Sequence, residues 1–176
     1  MQKQTGIFHL PKGFHASGVH CGLKKSKVDL AYLYSEVPAQ AAGVYTTNQI
    51  KAAPLTLSKT TLTDNSLQAI IVNSANANAC TGEQGFKNAV QMQALTAAAL
   101  NLNQDQVAVA STGVIGKQLA MDKIQNGIQQ LFSQKEQPEL FPKTILTTDT
   151  SEKKVTITEK IAGKIVTLSA CAKGSG

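Results

Sequence analysis

The sequence contains no arginine and no tryptophan, and every one of its 17 basic residues is a lysine. Arginine is the favoured side chain for forked recognition of phosphates and guanine edges. Its absence therefore argues against a nucleic-acid reader, despite a formal charge of +6. The lysines are dispersed, and only Lys24, Lys25 and Lys27 cluster, which describes a solvated surface rather than a phosphate-tracking stripe. Long apolar runs are missing too: stretches such as residues 67–72 and 107–110 fall far short of the roughly 20 residues of a membrane span. Residues 1–22 have neither the basic start nor the continuous apolar stretch of a secretion signal. A cytoplasmic protein is expected, with neither membrane nor nucleic acid as a partner.

Cysteine is scarce. Cys21, Cys80 and Cys171 are odd in number, widely spaced and without a C-x-x-C pair, which fits neither a disulfide framework nor a zinc knuckle. The histidines, His9, His15 and His20, all lie in the opening segment, so a metal site would need further ligands from elsewhere and none is expected. What the sequence does have is 42% apolar content over 176 residues, enough to close one sizeable core. Residues 1–176 are read as one α/β domain with its edges committed to something else.

Hydrophobic spacing supplies the elements. Residues 1–28 read as an extended lead with turns. Residues 29–35 alternate Leu30, Tyr32 and Tyr34 against Ala31 and Leu33, a strand apolar on both faces. Further strands are expected at 42–46, 67–72, 106–110 and 144–148. Residues 154–161 and 164–172 flank Ala162-Gly163 as a hairpin. Thr81 and Gln84 have the spacing of a capping box opening a helix to about Asn101, with Phe86, Val90, Leu95 and Leu100 as its apolar stripe. A second helix is expected to be capped by Asp122, to bury Ile124, Ile128, Leu131 and Phe132, and to be broken by Pro138 and Pro142. Helices alternating with strands in the middle, and strands at both ends, predict an α/β fold with mixed sheets.

Three polar segments follow apolar strands, where open α/β sheets tend to place ligands. In Asn73-Ser74-Ala75-Asn76-Ala77-Asn78-Ala79-Cys80-Thr81-Gly82, three asparagines alternate with small residues; they could serve a ligand or simply an Asn-rich turn. In Ser111-Thr112-Gly113-Val114-Ile115-Gly116, a hydroxyl precedes a glycine, an order that lets a hydroxyl and a bare backbone N–H converge on one oxygen, or that merely makes a turn. Thr147-Thr148-Asp149-Thr150 could grip the amine or carboxylate of an amino acid, or finish a strand in an Asx turn.

Taken together with Gly43-Val44-Tyr45-Thr46-Thr47-Asn48, Lys51-Ala52-Ala53-Pro54 and Ala172-Lys173-Gly174-Ser175-Gly176, these segments resemble, in order and from about Gly13 to the last residue, the ornithine acetyltransferase family. Members of that family are made as one precursor that cleaves itself before a threonine, which becomes the nucleophile of the second chain. This sequence resembles the first chain. The resemblance implies a mixed-sheet α/β sandwich completed by a β chain in an α2β2 heterotetramer. It implies an acyltransferase of arginine biosynthesis, moving acetyl from N-acetylornithine to glutamate through an acyl-threonine. No metal or bound cofactor is implied, and acetyl-CoA is left open as a second donor. Thr112 and Gly113 match the positions that stabilise the oxyanion, and Thr147 and Lys173 match positions that contact substrate. One departure is Ala75, where the family usually has glycine; a positive φ there would mean a locally different loop. Two other readings stand beside this one: a hydrolase using Cys80 as nucleophile with one of the histidines as base, and a non-catalytic binding subunit.

Overall fold

The computed structural model describes residues 2–174. A four-stranded mixed sheet forms its centre, built from β2 (Phe14–Val19), β3 (Leu30–Gln40), β4 (Ser66–Asn76) and β5 (Val107–Val114) in that spatial order. β2, β3 and β4 pair antiparallel, and β4 and β5 pair parallel. A separate antiparallel sheet has the order β1 (Gln2–Thr5), β6 (Lys153–Ile161), β7 (Lys164–Ala172). The helices are α1 (Ala53–Thr61), α2 (Gly82–Leu100), α3 (Met121–Ser133) and α4 (Leu140–Thr144).

Both faces of the central sheet are apolar, as the alternation in β3 predicts. Leu30 and Tyr32 join Ala69, Ile71, Val107 and Val109 on one face, packed against Met92 and Ala97 of α2 and Ile124, Ile128 and Leu131 of α3. Each fully buried Ile or Leu contributes about 1.5–3 kcal/mol, and Ile124, Ile128 and Leu131 carry the predicted inner stripe of α3. Ala31 and Val72 face the other way, against Ala16 and Phe141, with Phe8, Leu10, Leu33 and Cys171 packed around them. Cys171 brings β7 to this second core. The register of β3 against β4 shifts between Tyr34 and Ala39, where Pro38 has no N–H to give to a ladder.

The edge of the central sheet at β5 is sealed by a side chain. The Ser58 hydroxyl on α1 donates to the Val109 carbonyl at 2.6 Å and accepts from the Val109 N–H at 2.9 Å. Gln93 of α2 adds a donor to the Val107 carbonyl at 2.7 Å.

Several expected elements differ. Residues 42–46 are not a strand: Val44 is fully exposed, and local bonds from Asn48 N to Thr46 Oγ1 and from Ile50 N to Asn48 Oδ1 compete with any ladder. Residues 144–148 are not a strand either. Pro142 sits in the first turn of α4, where its missing N–H costs nothing. Thr81 precedes α2 but makes no capping bond; its hydroxyl donates to Asn78 Oδ1 at 2.7 Å. A capping box is formed instead by Asn103 and Gln106. Asp122 lies in the first turn of α3 rather than at its cap. Phe86 is exposed, and α2 buries the smaller Ala89, Met92, Thr96 and Ala97. The opening segment contains β1 and β2, and β4 and β5 run past their expected ends, through residues 76 and 114.

Candidate active site

The extension of β4 and β5 decides where the polar segments lie. Register pairs Asn73 with Ser111, Ser74 with Thr112 and Ala75 with Gly113, so two of the three segments run side by side at the carboxyl ends of two parallel strands. Gly113 has φ +133°, and a Cβ there would fall 2.0 Å from the Ala75 carbonyl oxygen. Only glycine fits this approach. Ala75 itself is absent from the residues with positive φ, so the departure noted in the sequence costs no backbone strain.

Most of the asparagine segment turns out to be framework. Asn73 and Asn78 are fully buried. Asn73 donates to the Asn76 carbonyl at 3.0 Å and accepts from Ser111 Oγ at 2.5 Å. Asn76 donates to the Gln118 carbonyl at 3.0 Å, and Asn78 to the Gly85 carbonyl at 2.8 Å. Their amides replace backbone partners in a buried turn, which is what burial of such groups requires. Ser74 donates to the Thr144 carbonyl, tying β4 to the end of α4.

Thr112, Gly113, Thr147 and Lys173 line one open cleft of about 560 Å³, with Lys24, Lys27, Ala75, Val114 and Thr148. The Lys173 ammonium donates to Thr112 Oγ1 at 2.6 Å and to Thr147 Oγ1 at 3.0 Å. Lys173 follows β7, Thr112 is on β5 and Thr147 follows α4, so the ammonium joins three segments of the chain. The remainder of the AKGSG motif, Ser175 and Gly176, lies outside the described residues.

Two groups beyond the four matched site residues hold this arrangement. Asp149 accepts from Gly174 N at 2.7 Å, Lys153 Nζ at 2.9 Å and Thr147 N at 3.5 Å. It thereby grips the residue after Lys173 and the residue bearing the second hydroxyl. The Lys153 bond, then the Gly174 N–H, hold its carboxyl down to about 2. Lys24 donates to the carbonyls of Val28 (3.1 Å), Thr144 (3.4 Å) and Leu146 (2.8 Å). Burial lowers its pKa, and the Lys27 and Lys173 cations add to that shift against the opposing pull of Asp29. The signals were the D-x-x-x-K spacing of Asp149 and Lys153 and the small lysine cluster, neither of which reveals its distant partner.

The cysteine reading gains nothing from the geometry. Cys80 is exposed, and the groove it lines with Gln49, Ile50, Lys51, Ala53, Thr56, Thr81, Gly82 and Phe86 contains no histidine. His15 is engaged by Glu36 and Glu136, and His20 by Asp29 and the Lys27 carbonyl. Burial pushes the Cys21 thiol up to about 12, as suits an inert residue. No group of three or more His, Cys, Asp or Glu among the described residues could hold a metal ion, and no described helix is long and apolar enough to cross a membrane.

Known proteins share both the sequence and this arrangement of strands. The chain is 56% identical over 174 residues to the arginine biosynthesis bifunctional protein ArgJ of Oceanobacillus iheyensis, covering 98% of this chain and 43% of that protein. It is 53% identical over 177 residues to the ArgJ protein of Listeria monocytogenes, covering 100% of this chain and 44% of the relative. It thus spans less than half the length of the curated relatives it matches. A crystal structure of ArgJ from Bacillus halodurans superposes with a TM-score of 0.88 at 46% identity, over 94% of this chain and 88% of that one. The ornithine acetyltransferase of Mycobacterium tuberculosis, crystallised with ornithine, gives 0.85 at 37% identity, over 94% and 90%. The ArgJ family model matches residues 15–176, and the chain belongs to the ArgJ family.

Proposed function

We propose that this chain is one half of an ornithine acetyltransferase that moves an acetyl group from N-acetylornithine to glutamate, working with a companion β chain in an α2β2 assembly of the cytoplasm. The observation that carries the reading is the Lys173 ammonium bonded to the hydroxyls of both Thr112 and Thr147 beside the bare backbone of Gly113. In this reading that group fixes a carboxylate as a point charge, and the Thr112 hydroxyl and Gly113 N–H stabilise the developing oxyanion. The two-chain reading is supported by coverage, since this chain spans 43% of a curated relative but 88% of a crystallised chain. Val114 and Ile115 beside the cleft are largely exposed, as suits a surface that another chain covers.

In this mechanism the hydroxyl of a companion-chain threonine attacks the acetyl carbonyl. The oxyanion forms against Thr112 and Gly113, the C–N bond breaks, and the ornithine amine leaves with a proton. The glutamate amine then attacks the acetyl-threonine, and N-acetylglutamate departs as the threonine hydroxyl recovers its proton. Thr147 and Lys173 hold the amino acid in both halves. No bound cofactor takes part, and acetyl-CoA would serve as a second donor to the same threonine.

The test is co-expression of this chain with the remaining half found in its relatives, followed by an assay of acetyl transfer. Transfer from N-acetylornithine to glutamate is expected. An assembled pair that leaves N-acetylornithine intact overturns the reading, and transfer from acetyl-CoA alone replaces one donor with another.

A further inference from the structure

The cleft carries more positive charge than the mechanism above employs. Lys24, Lys27 and Lys173 line it, and no Asp or Glu does. These three ammonium groups are not equivalent. Lys24 directs its donors at three backbone carbonyls and serves as a brace. Lys173 uses two donors on Thr112 and Thr147 and keeps one for a ligand. Lys27 is exposed and makes no ion pair among the described residues. Asp149, which borders a neighbouring hollow with Lys27, Lys143 and Thr147, is already engaged by Lys153 and the Gly174 N–H.

The loop that presents Lys27 is built. Asp29 is completely buried and accepts from Cys21 N at 2.7 Å and Lys24 N at 2.8 Å. His20 Nδ1 donates to the Lys27 carbonyl at 2.9 Å. The backbone at Lys27 is therefore fixed through its own carbonyl, whatever its side chain does.

Charge count then separates the two substrates of the proposed reaction. An α-carboxylate, common to both, matches Lys173. N-acetylornithine has no further anion, since its side chain ends in an ammonium, whereas glutamate has a second carboxylate. Resting on the acetyltransferase reading, we propose that Lys27 selects the acceptor, its ammonium receiving the side-chain carboxylate of glutamate and disfavouring a cationic side chain in the same place. Discrimination of this kind uses one group as attraction for the wanted ligand and repulsion for the other. It biases the acetyl-threonine toward glutamate and against recapture by the ornithine just released.

The experiment uses the assembled complex and measures each half-reaction by isotope exchange, ornithine into N-acetylornithine and glutamate into N-acetylglutamate. Lys27→Met should raise the KM for glutamate on the order of 10-fold, the scale of a charge-assisted contact in a partly exposed site. It should leave the KM for N-acetylornithine unraised and the melting temperature unchanged, and Lys27→Arg should restore glutamate binding. An equal rise in both KM values would assign Lys27 to the shared α-carboxylate and overturn the proposal. An unchanged glutamate KM in Lys27→Met, while the unmodified complex transfers acetyl, overturns the Lys27 assignment alone. No transfer in the unmodified complex overturns the acetyltransferase reading and this inference with it.

Discussion

The α-carbon of Gly113 packs so closely on Ala75 that an added Cβ would lie 2.0 Å from the Ala75 carbonyl oxygen. Gly116, three residues on, also has positive φ, but a Cβ there meets nothing within 4 Å. The pair separates close approach from backbone preference. Gly113→Ala should destabilise the chain by roughly 3 kcal/mol or more, clash and strain together, whereas Gly116→Ala should cost about 1 kcal/mol. Denaturant unfolding of the two variants checks this, and equal losses would mean that β4 and β5 can part without penalty.

Thr112→Ala should lower kcat by about 100-fold or more, the usual loss for one oxyanion donor, with KM little changed. Thr112→Ser keeps the hydroxyl and should recover most of the rate. Steady-state kinetics of the assembled complex decide it, and an unchanged kcat in Thr112→Ala removes Thr112 from that role.

Lys173→Met retains an aliphatic stem and deletes the ammonium. The KM values for N-acetylornithine and glutamate should rise together, because both amino acids carry the α-carboxylate. Normal values for both in a correctly assembled enzyme would sink the assignment.

Asp149→Asn should loosen the turn carrying Thr147 and the segment after Lys173, raising KM several-fold at neutral pH without unfolding the chain. Its pKa is depressed from 3.8 to about 2, so its contribution is complete above about pH 4 and is lost as pH falls through about 2. Acid titration of the parent should show a loss of stability in that window, and the Asn variant should lack it. Superimposable acid curves would dismiss the clamp.

His15 lies between two carboxylates, with Nε2 2.8 Å from Glu36 and Nδ1 3.0 Å from Glu136, and the Glu36 bond, then the Glu136 bond, raise its pKa. A raised histidine stabilises the fold fully below its ordinary 6.5 and loses that contribution as pH rises through the folded value. The parent should therefore lose a small, salt-sensitive increment of stability as pH rises beyond 6.5. His15→Gln should flatten the slope; an identical slope in both proteins would contradict it.

The elements legible in the sequence are those specified by near neighbours. The hairpin of β6 and β7 turns on Ala162 and Gly163, both at positive φ, the conformation a two-residue hairpin turn needs. The inner stripe of α3 follows from spacing alone. By contrast, α4 was hidden because Pro142 reads as a breaker until its place in the first turn is known. The buried asparagines were visible as amides, but their partners were not: Ser111 is brought to Asn73 by the register of β4 and β5, and Gly85 to Asn78 by the turn into α2. Thr112 and Gly113 were singled out by family resemblance, since a strand continuing through them and a turn at them have similar composition. The grips of Asp149 and Lys24 depend on contacts as far as 122 residues apart, beyond the reach of any local pattern.

Ser58 gives one strand the counterpart of a neighbour. By donating to the carbonyl and accepting from the amide of the same residue, Val109, it occupies two of the outward groups through which β5 could template an incoming strand, and Gln93 occupies another at the Val107 carbonyl. The two described sheets therefore differ in how they resist self-association. The central sheet is protected at β5 by the Ser58 hydroxyl and the Gln93 amide, of which a single Ser58→Ala change would remove the first. The smaller sheet ends at β7, where Ile165, Val166 and Leu168 are exposed, so its border offers an incoming strand both unpaired backbone and apolar side chains.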